Sequence, residues 1–423
     1  MGSHESNPEL WRILTSIEQI SPRGWPRYLF PFELEDDYNL EEVTRVLKEG
    51  WTSTCRRFPI LRSEAVPDPD TKQGGRLKIR ELDDQELAAI EPIVVKDLPA
   101  PGAFATFAEL KAKHFPVAAL DENLNFLQGG LIVNWNPYHA VGDGQTFFTW
   151  TEVWAEECRR AQGIPITKPA YTPDTILTDR KHVLHPQAPG PGRAGNLEDH
   201  PQYKILTDPA KQLEKLLRRD GHVGQVFYFS EESLARLKRD AYPLRPGEDG
   251  EVPYISTNDA LSVLAWRSVM AAQFPLDRIE GDPVTTCNIA VDGRYRTQPP
   301  IDRATCRCGE MLETTDPRGL SALLRRAMAA ADGYEGGLTN DMIALVDRLP
   351  HVGLLVPGAF LNSRGLCCSQ TSWARLQLYG LEWGPLPGRR DPVEPQPGLR
   401  HPQRHADHDA CAAGRRARGL VRY

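Results

Sequence analysis

The stretch from Gly130 to Ala161 constrains the fold most. Gly130-Leu131-Ile132-Val133-Asn134-Trp135, mostly apolar and β-branched, reads as a strand. From Gly144 to Ala161, Phe147, Trp150, Val153 and Trp154 recur at helical spacing. Strand, short loop and amphipathic helix in that order require a sheet and a helix that share one core, and His139 sits in the loop between them.

The rest of the chain repeats this mixture. Asn39 with Glu42 three residues on is a capping-box pattern. Val43, Val46, Leu47 and Trp51 then follow at helical spacing before Pro59, so a helix is expected over about 40–57. Further on, Val226–Phe229 reads as a strand, Glu231–Ala241 as a helix and Asp259–Ala272 as a second helix. No repeat of fixed period is present. The expected class is therefore α/β or α+β.

At 423 residues the chain exceeds one ordinary core and suggests two domains. Pro186, Pro189, Pro191 and three glycines, without apolar periodicity, mark 184–202 as an exposed linker or crossover. The expected division is 1–183, then that linker, then 203–387. From Gly388 the sequence carries eight arginines and no lysine, with little apolar pattern, so 388–423 reads as a disordered or aberrant tail. A shifted reading frame in GC-rich coding sequence would give such a composition.

The formal charge of −7 is spread along the chain and no basic stripe interleaves with aromatics, which argues against nucleic acid as a partner. No apolar run is long enough to span a membrane, and Met1-Gly2-Ser3-His4-Glu5-Ser6 lacks the regions of a signal peptide, so a cytoplasmic protein without a membrane partner is expected. The same start matches a short myristoylation pattern, but no polybasic stretch nearby supplies a second anchor. None of the eight cysteines has zinc-like spacing, and reduced thiols are expected; Cys367-Cys368 reads as a strand-end pair of buried thiols. His401, His405, His408 and Cys411 fit no tetrahedral ligand pattern, so no metal is expected.

Histidine is the side chain suited to taking a proton from a hydroxyl or amine near neutral pH. His139 lies in His139-Ala140-Val141-Gly142-Asp143-Gly144, where Gly142 and Gly144 allow close approach of backbone and ligand. The bare His-x-x-x-Asp spacing is weak, since His405 to Asp409 repeats it in the tail. The strand before and the helix after distinguish the first copy. The bland reading is a turn histidine satisfied by backbone hydrogen bonds.

Asn136 to Gly144 resembles the His-x-x-x-Asp-Gly motif of the BAHD acyltransferases, in particular their fungal trichothecene acetyltransferase branch. Further segments of 10–387 are similar in order and spacing. They are Phe227-Tyr228-Phe229-Ser230 with Leu234 and Leu237-Lys238; Ile255 to Leu261 with Ala265-Trp266-Arg267; and Val291-Asp292-Gly293-Arg294-Tyr295-Arg296 before Pro299-Pro300. The resemblance implies two chloramphenicol-acetyltransferase-like domains with the active-site channel at their interface. It also implies acyl-CoA as co-substrate with no bound cofactor, a small-molecule acceptor as the other partner, and a monomer. His139 would be the general base, and Asp143 a structural group paired with Arg294. Ser256, Thr257 and Ser372 would lie toward coenzyme A. Trp383 or a backbone amide near Gly144 are the candidates for stabilising the oxyanion.

Two departures are visible. Where the family has Asp-Phe-Gly-Trp-Gly after Ser-Trp, this chain has Ser372-Trp373 and then the degraded Glu382-Trp383-Gly384. The Arg-rich tail stands where further strands would complete the second domain, which implies an incomplete C-terminal domain with an unpaired sheet edge. These departures leave open a catalytically impaired pseudoenzyme or truncated product. A condensation-type domain using carrier-bound thioesters is a further alternative, although such domains carry a second histidine where this chain has Tyr138.

Overall fold

The structure is a computed structural model. It describes residues 12–98, 105–116, 124–170, 194–209, 225–242, 254–274, 285–294, 309–314, 338–361 and 365–387, with residues 189 and 212 alone. The Arg-rich tail, its histidines and the Met1-Gly2 start lie outside these residues.

The first half is built on a four-stranded sheet in the order β1-β6-β5-β4, with β1 Tyr28–Glu33, β4 Val95–Leu98, β5 Leu124–Leu127 and β6 Gly130–Trp135. The β4–β5 pair is parallel and the other two are antiparallel. In β1 the alternation buries Tyr28, Phe30 and Phe32 on one face. The central strand β6 is buried on both faces: Leu131 and Val133 join the main core, and Ile132 faces a smaller cluster with Phe107, Leu110 and Leu127. A hairpin of β2 Ser63–Pro67 and β3 Leu77–Glu81 stands beside this sheet.

Helices α1 Ser16–Gln19, α2 Leu40–Arg57, α3 Asp84–Ala88, α4 Phe107–Ala112 and α5 Gly144–Ala161 complete the described first half. Both long helices fall where periodicity places them. Asn39 caps α2 by accepting from the Glu42 amide at 3.0 Å, but Glu42 turns to Arg45 instead of returning to the cap, so half of the expected capping box forms. The α2–α5 crossing is close. Trp154 Nε1 donates to the Leu47 carbonyl at 3.0 Å, and a Cβ on Gly50 would stand 2.9 Å from the backbone nitrogen of Cys158.

In the second half, β8 Thr286–Asp292 lies between β11 Cys367–Gln370, parallel to it, and β9 Gly309–Thr314, antiparallel. Helices α6 Glu231–Asp240 and α7 Thr257–Gln273 pack together, and α7 sends Val263, Trp266 and Val269 against Ile289 and Cys287 of this sheet. Cys368 meets Cys287 across the strands with the sulfurs 3.6 Å apart, while its sequence neighbour Cys367 is half-buried. The buried thiol pair is thus formed across strands and not by adjacent residues. Val226–Phe229 forms no strand: it is an irregular run with exposed Val226, Phe227 and Tyr228 and no partner strand among the described residues, so its apolar content does not make it a strand. Among the described residues β11 ends its sheet.

The halves interlock. Strands β7 Tyr203–Ile205 and β10 Leu355–Pro357 pair beside α8 Leu338–Arg348, and the short helix α9 Gly358–Leu361 follows. Ile20 after α1 enters the cluster of Met342, Leu345 and Val346, and the Ser16 hydroxyl hydrogen-bonds Asp347. Gln73 Nε2 donates to the carbonyls of Val346 and Leu349 at 2.7 and 2.6 Å. In the described part of the expected linker, 194–202, Ala194, Asn196, Glu198, Asp199 and Pro201 are exposed, while Gly195, His200 and Gln202 are buried. His200 is fully buried and bonds Asp341 at 2.8 Å, while the Gly195 amide donates to the same carboxylate at 2.7 Å.

Candidate active site

Strand β6 delivers the chain into the loop 136–138, and a single 3-10 turn, His139–Val141, leads through Gly142 and Asp143 into α5. His139 is half-buried in that turn. Its backbone amide donates to the Gly24 carbonyl at 2.7 Å, and its ring meets the edge of Phe147 at 5.7 Å between centroids. Phe147, on the first turn of α5, is itself fully buried against Tyr28, Trp135 and Trp150. The imidazole is therefore held between a backbone hydrogen bond and an immobile aromatic ring.

Gly142 and Gly144 differ in what they allow. Gly142 is buried with an extended backbone, and a Cβ there would overlap the Phe147 ring. At Gly144 a Cβ would make ordinary contact with Leu376 and Trp373, at 3.4 Å and beyond. Trp373 stacks on Tyr28 with centroids 4.9 Å apart and planes 9° from parallel, which brings the Ser372-Trp373 segment beside the motif. Ser372 itself is exposed.

Asp143 caps α5. Its Oδ1 accepts from the Thr146 amide and hydroxyl, each at 3.0 Å, and from Arg294 Nη2 at 2.8 Å. Arg294 is fully buried. Its Nη1 and backbone amide both donate to Asp292 Oδ1, at 2.9 and 3.1 Å, and Nη2 also reaches Thr146 Oγ1 at 3.2 Å. A guanidinium removed from water needs partners of this kind. The network pins the end of β8, in the second half, to the start of α5 in the first. Thr146 was not singled out from sequence, although its place three residues after a capping Asp is the standard position for such a bond.

Ser256 and Thr257 stand at the start of α7. Ser256 caps the helix in a reciprocal box with Asp259, its Oγ accepting from the Asp259 amide at 3.1 Å and its amide donating to Asp259 Oδ2 at 2.7 Å. The segment of Glu382-Trp383-Gly384 returns to the first half. Trp383 is buried among Phe30, Phe32 and Trp154, so its indole is a core side chain of the first sheet. Gln162 clasps it, donating to the Trp383 carbonyl at 2.7 Å and accepting from the Leu386 amide at 2.8 Å. Glu382, mostly exposed, pairs with Arg159. A surface cleft of about 620 Å³ between 164–168 and 381–385 holds none of the motif-loop residues. No cluster of metal-ligating side chains occurs among the described residues, and no helix among them is long and apolar enough to cross a membrane.

The trichothecene 3-O-acetyltransferase-like N-terminal domain matches residues 27–125. The chain is 29% identical over 431 residues to eremophilane O-acetyltransferase ORF8 of Penicillium roqueforti, covering 89% of this chain and 87% of that protein. It is 25% identical to BAHD acyltransferase DCR of Arabidopsis thaliana, over 73% of this chain and 64% of that one. It is also 24% identical to the protein named enoyl-CoA isomerase/hydratase claC of Penicillium crustosum; there it spans 88% of itself but 44% of the relative. In structure it resembles TRI101 of F. graminearum, solved with coenzyme A and T-2 mycotoxin, with a TM-score of 0.68 at 17% identity over 89% of this chain and 87% of the other. That likeness establishes the fold, a pair of chloramphenicol-acetyltransferase-like units of mixed sheet and helix. Together these likenesses support a BAHD-type, trichothecene acetyltransferase-like protein and an acyl-CoA-dependent acyltransferase.

Proposed function

We propose that this chain transfers an acyl group, acetyl by family habit, from acyl-CoA to a hydroxyl or amine of a small secondary metabolite, with His139 as general base. The observation that carries the reading is the buried Arg294, which ties Asp143, and through it the loop of His139, to the second half of the molecule. A loop fixed on both flanks presents an imidazole in one orientation, which proton transfer in the transition state requires.

In the proposed reaction His139 Nε2 takes the proton of the acceptor O–H or N–H as its lone pair attacks the thioester carbonyl carbon. The tetrahedral oxyanion collapses with cleavage of the C–S bond, and the coenzyme A thiolate leaves and takes up the proton from the imidazolium. Trp383 is set aside as oxyanion donor because its indole lies in the first-half core; a backbone amide near Gly144 is the better candidate. Asp143 and Arg294 position the loop. Ser256, Thr257 and Ser372 are assigned to the coenzyme A side, and 184–202 to the division between domains. The enzyme is read as a cytoplasmic monomer.

The test is thiol release from acetyl-CoA by the purified chain with a panel of hydroxylated and aminated natural products. Release that requires an acceptor supports the reading. Transfer only from a carrier-bound thioester would favour the condensation-type alternative, and no release from either donor by a folded protein would favour the pseudoenzyme.

A further inference from the structure

Strands β8 and β11 pair in parallel with Cys287 directly opposite Cys368, and both side chains pack with Val263, Trp266 and Val269 of α7. The two sulfurs stand 3.6 Å apart, and neither is in a disulfide. Cα atoms opposed across paired strands lie about 4.8 Å apart, inside the span of roughly 4.4 to 6.8 Å that a disulfide bridges. Gln370 Nε2 donates to Cys368 Sγ at 3.6 Å and to the Ser262 carbonyl of α7 at 2.8 Å. With one donor already aimed at the Cys368 sulfur, the S–H of Cys287 is placed to donate to it as well. That bond holds the Cys368 thiol below its ordinary range against the opposing effect of burial, and Gln370 adds to it. Cys55 and Cys158 differ: burial pushes the Cys55 thiol up to about 12 and the Cys158 thiol well above its ordinary range.

We propose that Cys287 and Cys368 form an oxidative modification site, at which hydrogen peroxide joins them in a reversible disulfide that clamps β11 to β8. The Cys368 thiolate attacks one oxygen of the peroxide; the S–O bond forms, the O–O bond breaks, and the hydroxide released takes up the proton that Cys368 gave off. The Cys287 sulfur then attacks the Cys368 sulfenic acid, and its thiol proton leaves with the hydroxyl as a second water. The two sulfurs lose two electrons and the peroxide gains them. Cys287 is 1% and Cys368 6% exposed, which suits a small oxidant better than a bulky disulfide such as oxidised glutathione. Strand β11 has four residues and, among the described residues, ends its sheet, so local opening uncovers Cys368 first. Beyond the pair, β8 runs on to Asp292 and the buried Arg294, and the chain after β11 to Trp373, which stacks on Tyr28. The clamp thus joins the two strands from which the second half reaches the motif loop, and it does not depend on His139 being the base.

The experiment exposes the full chain, folded and reduced, to a small excess of hydrogen peroxide. Remaining thiols are then alkylated in denaturant, and the peptides are mapped by mass spectrometry without reductant. The expected product is a Cys287–Cys368 linked peptide two hydrogens lighter than its reduced parts, which dithiothreitol separates. The linked protein should melt several degrees above the reduced one, because the crosslink restricts the unfolded chain. Cys287→Ala should give no link and leave on Cys368 a sulfenic acid that dimedone captures. Three wild-type results overturn the proposal: Cys287 and Cys368 both still open to alkylation after peroxide, a link that joins either of them to a different cysteine, or a linked protein that melts no higher than the reduced one. The wild-type map decides the matter even if Cys287→Ala folds poorly.

Discussion

Arg294 has no exposed surface, and its charge is tolerated because Asp143, Asp292 and the Thr146 hydroxyl receive its N–H groups. Asp143→Ala should therefore destabilise the fold by about 3 kcal/mol in chemical denaturation, the low end for breaking a buried pair because Asp292 remains. Gly142 makes a second prediction at this scale. A methyl group there displaces the Phe147 ring, against which the His139 ring rests, so Gly142→Ala should lower kcat strongly while the far-ultraviolet circular dichroism stays native. Gly144→Ala, which meets only ordinary contacts, should keep most of its activity. Unequal responses of the two glycines are the expected result of steady-state kinetics. The contact of Asp143 with Arg294 was expected because the motif and its partner segment stand in a recognisable order. The roles of Thr146 and Gln162 were not, since they act through tertiary hydrogen bonds, Thr146 with Arg294 and Gln162 with the backbone of Trp383 and Leu386, that leave no periodicity in the sequence.

Helices α2 and α5 were readable almost to the residue, because each buries one face and the 3.6-residue pattern is strong. Val226–Phe229 misled for the converse reason: alternation or apolar content does not make a strand without a neighbour to accept its hydrogen bonds. Where α2 crosses α5, contact is so close that the backbone of Cys158 faces Gly50 directly. Burial pushes the Cys158 thiol well above its ordinary range, in keeping with a packing and not a reactive role. Gly50→Ala should force the helices apart and cost about 1–3 kcal/mol, the usual penalty of overpacking, although alanine is the better helix former. A lowered melting temperature would bear this out; a raised one would mean that propensity outweighs the contact.

Across the whole molecule the two halves are joined by returning segments that no linker argument anticipates. The chain after β11 comes back to the first sheet, where Trp373 stacks on Tyr28 and Trp383 fills the gap among Phe30, Phe32 and Trp154. Glu382-Trp383-Gly384 is thus a docking element for the first core. Gly384 has a left-handed φ of +80°, and a Cβ there would stand 2.6 Å from Gln162 Nε2, so both backbone and space favour a glycine at this position. Trp383→Ala should cost about 3–5 kcal/mol and appear as unfolding of the first half, measured by denaturation followed at its tryptophans. Domain boundaries drawn from proline and glycine content could not show such interlocking, because composition reports where the chain turns and not where it docks.

On the proposed reading, a loop locked by Asp143 and Arg294 presents His139 as the base for acyl transfer. Turnover of His139→Ala, with its melting temperature recorded alongside, tests this most directly. The rate should fall by about 10² to 10⁴ with an unchanged melting temperature. A variant that is folded and turns over acyl-CoA and acceptor at the wild-type rate would contradict it.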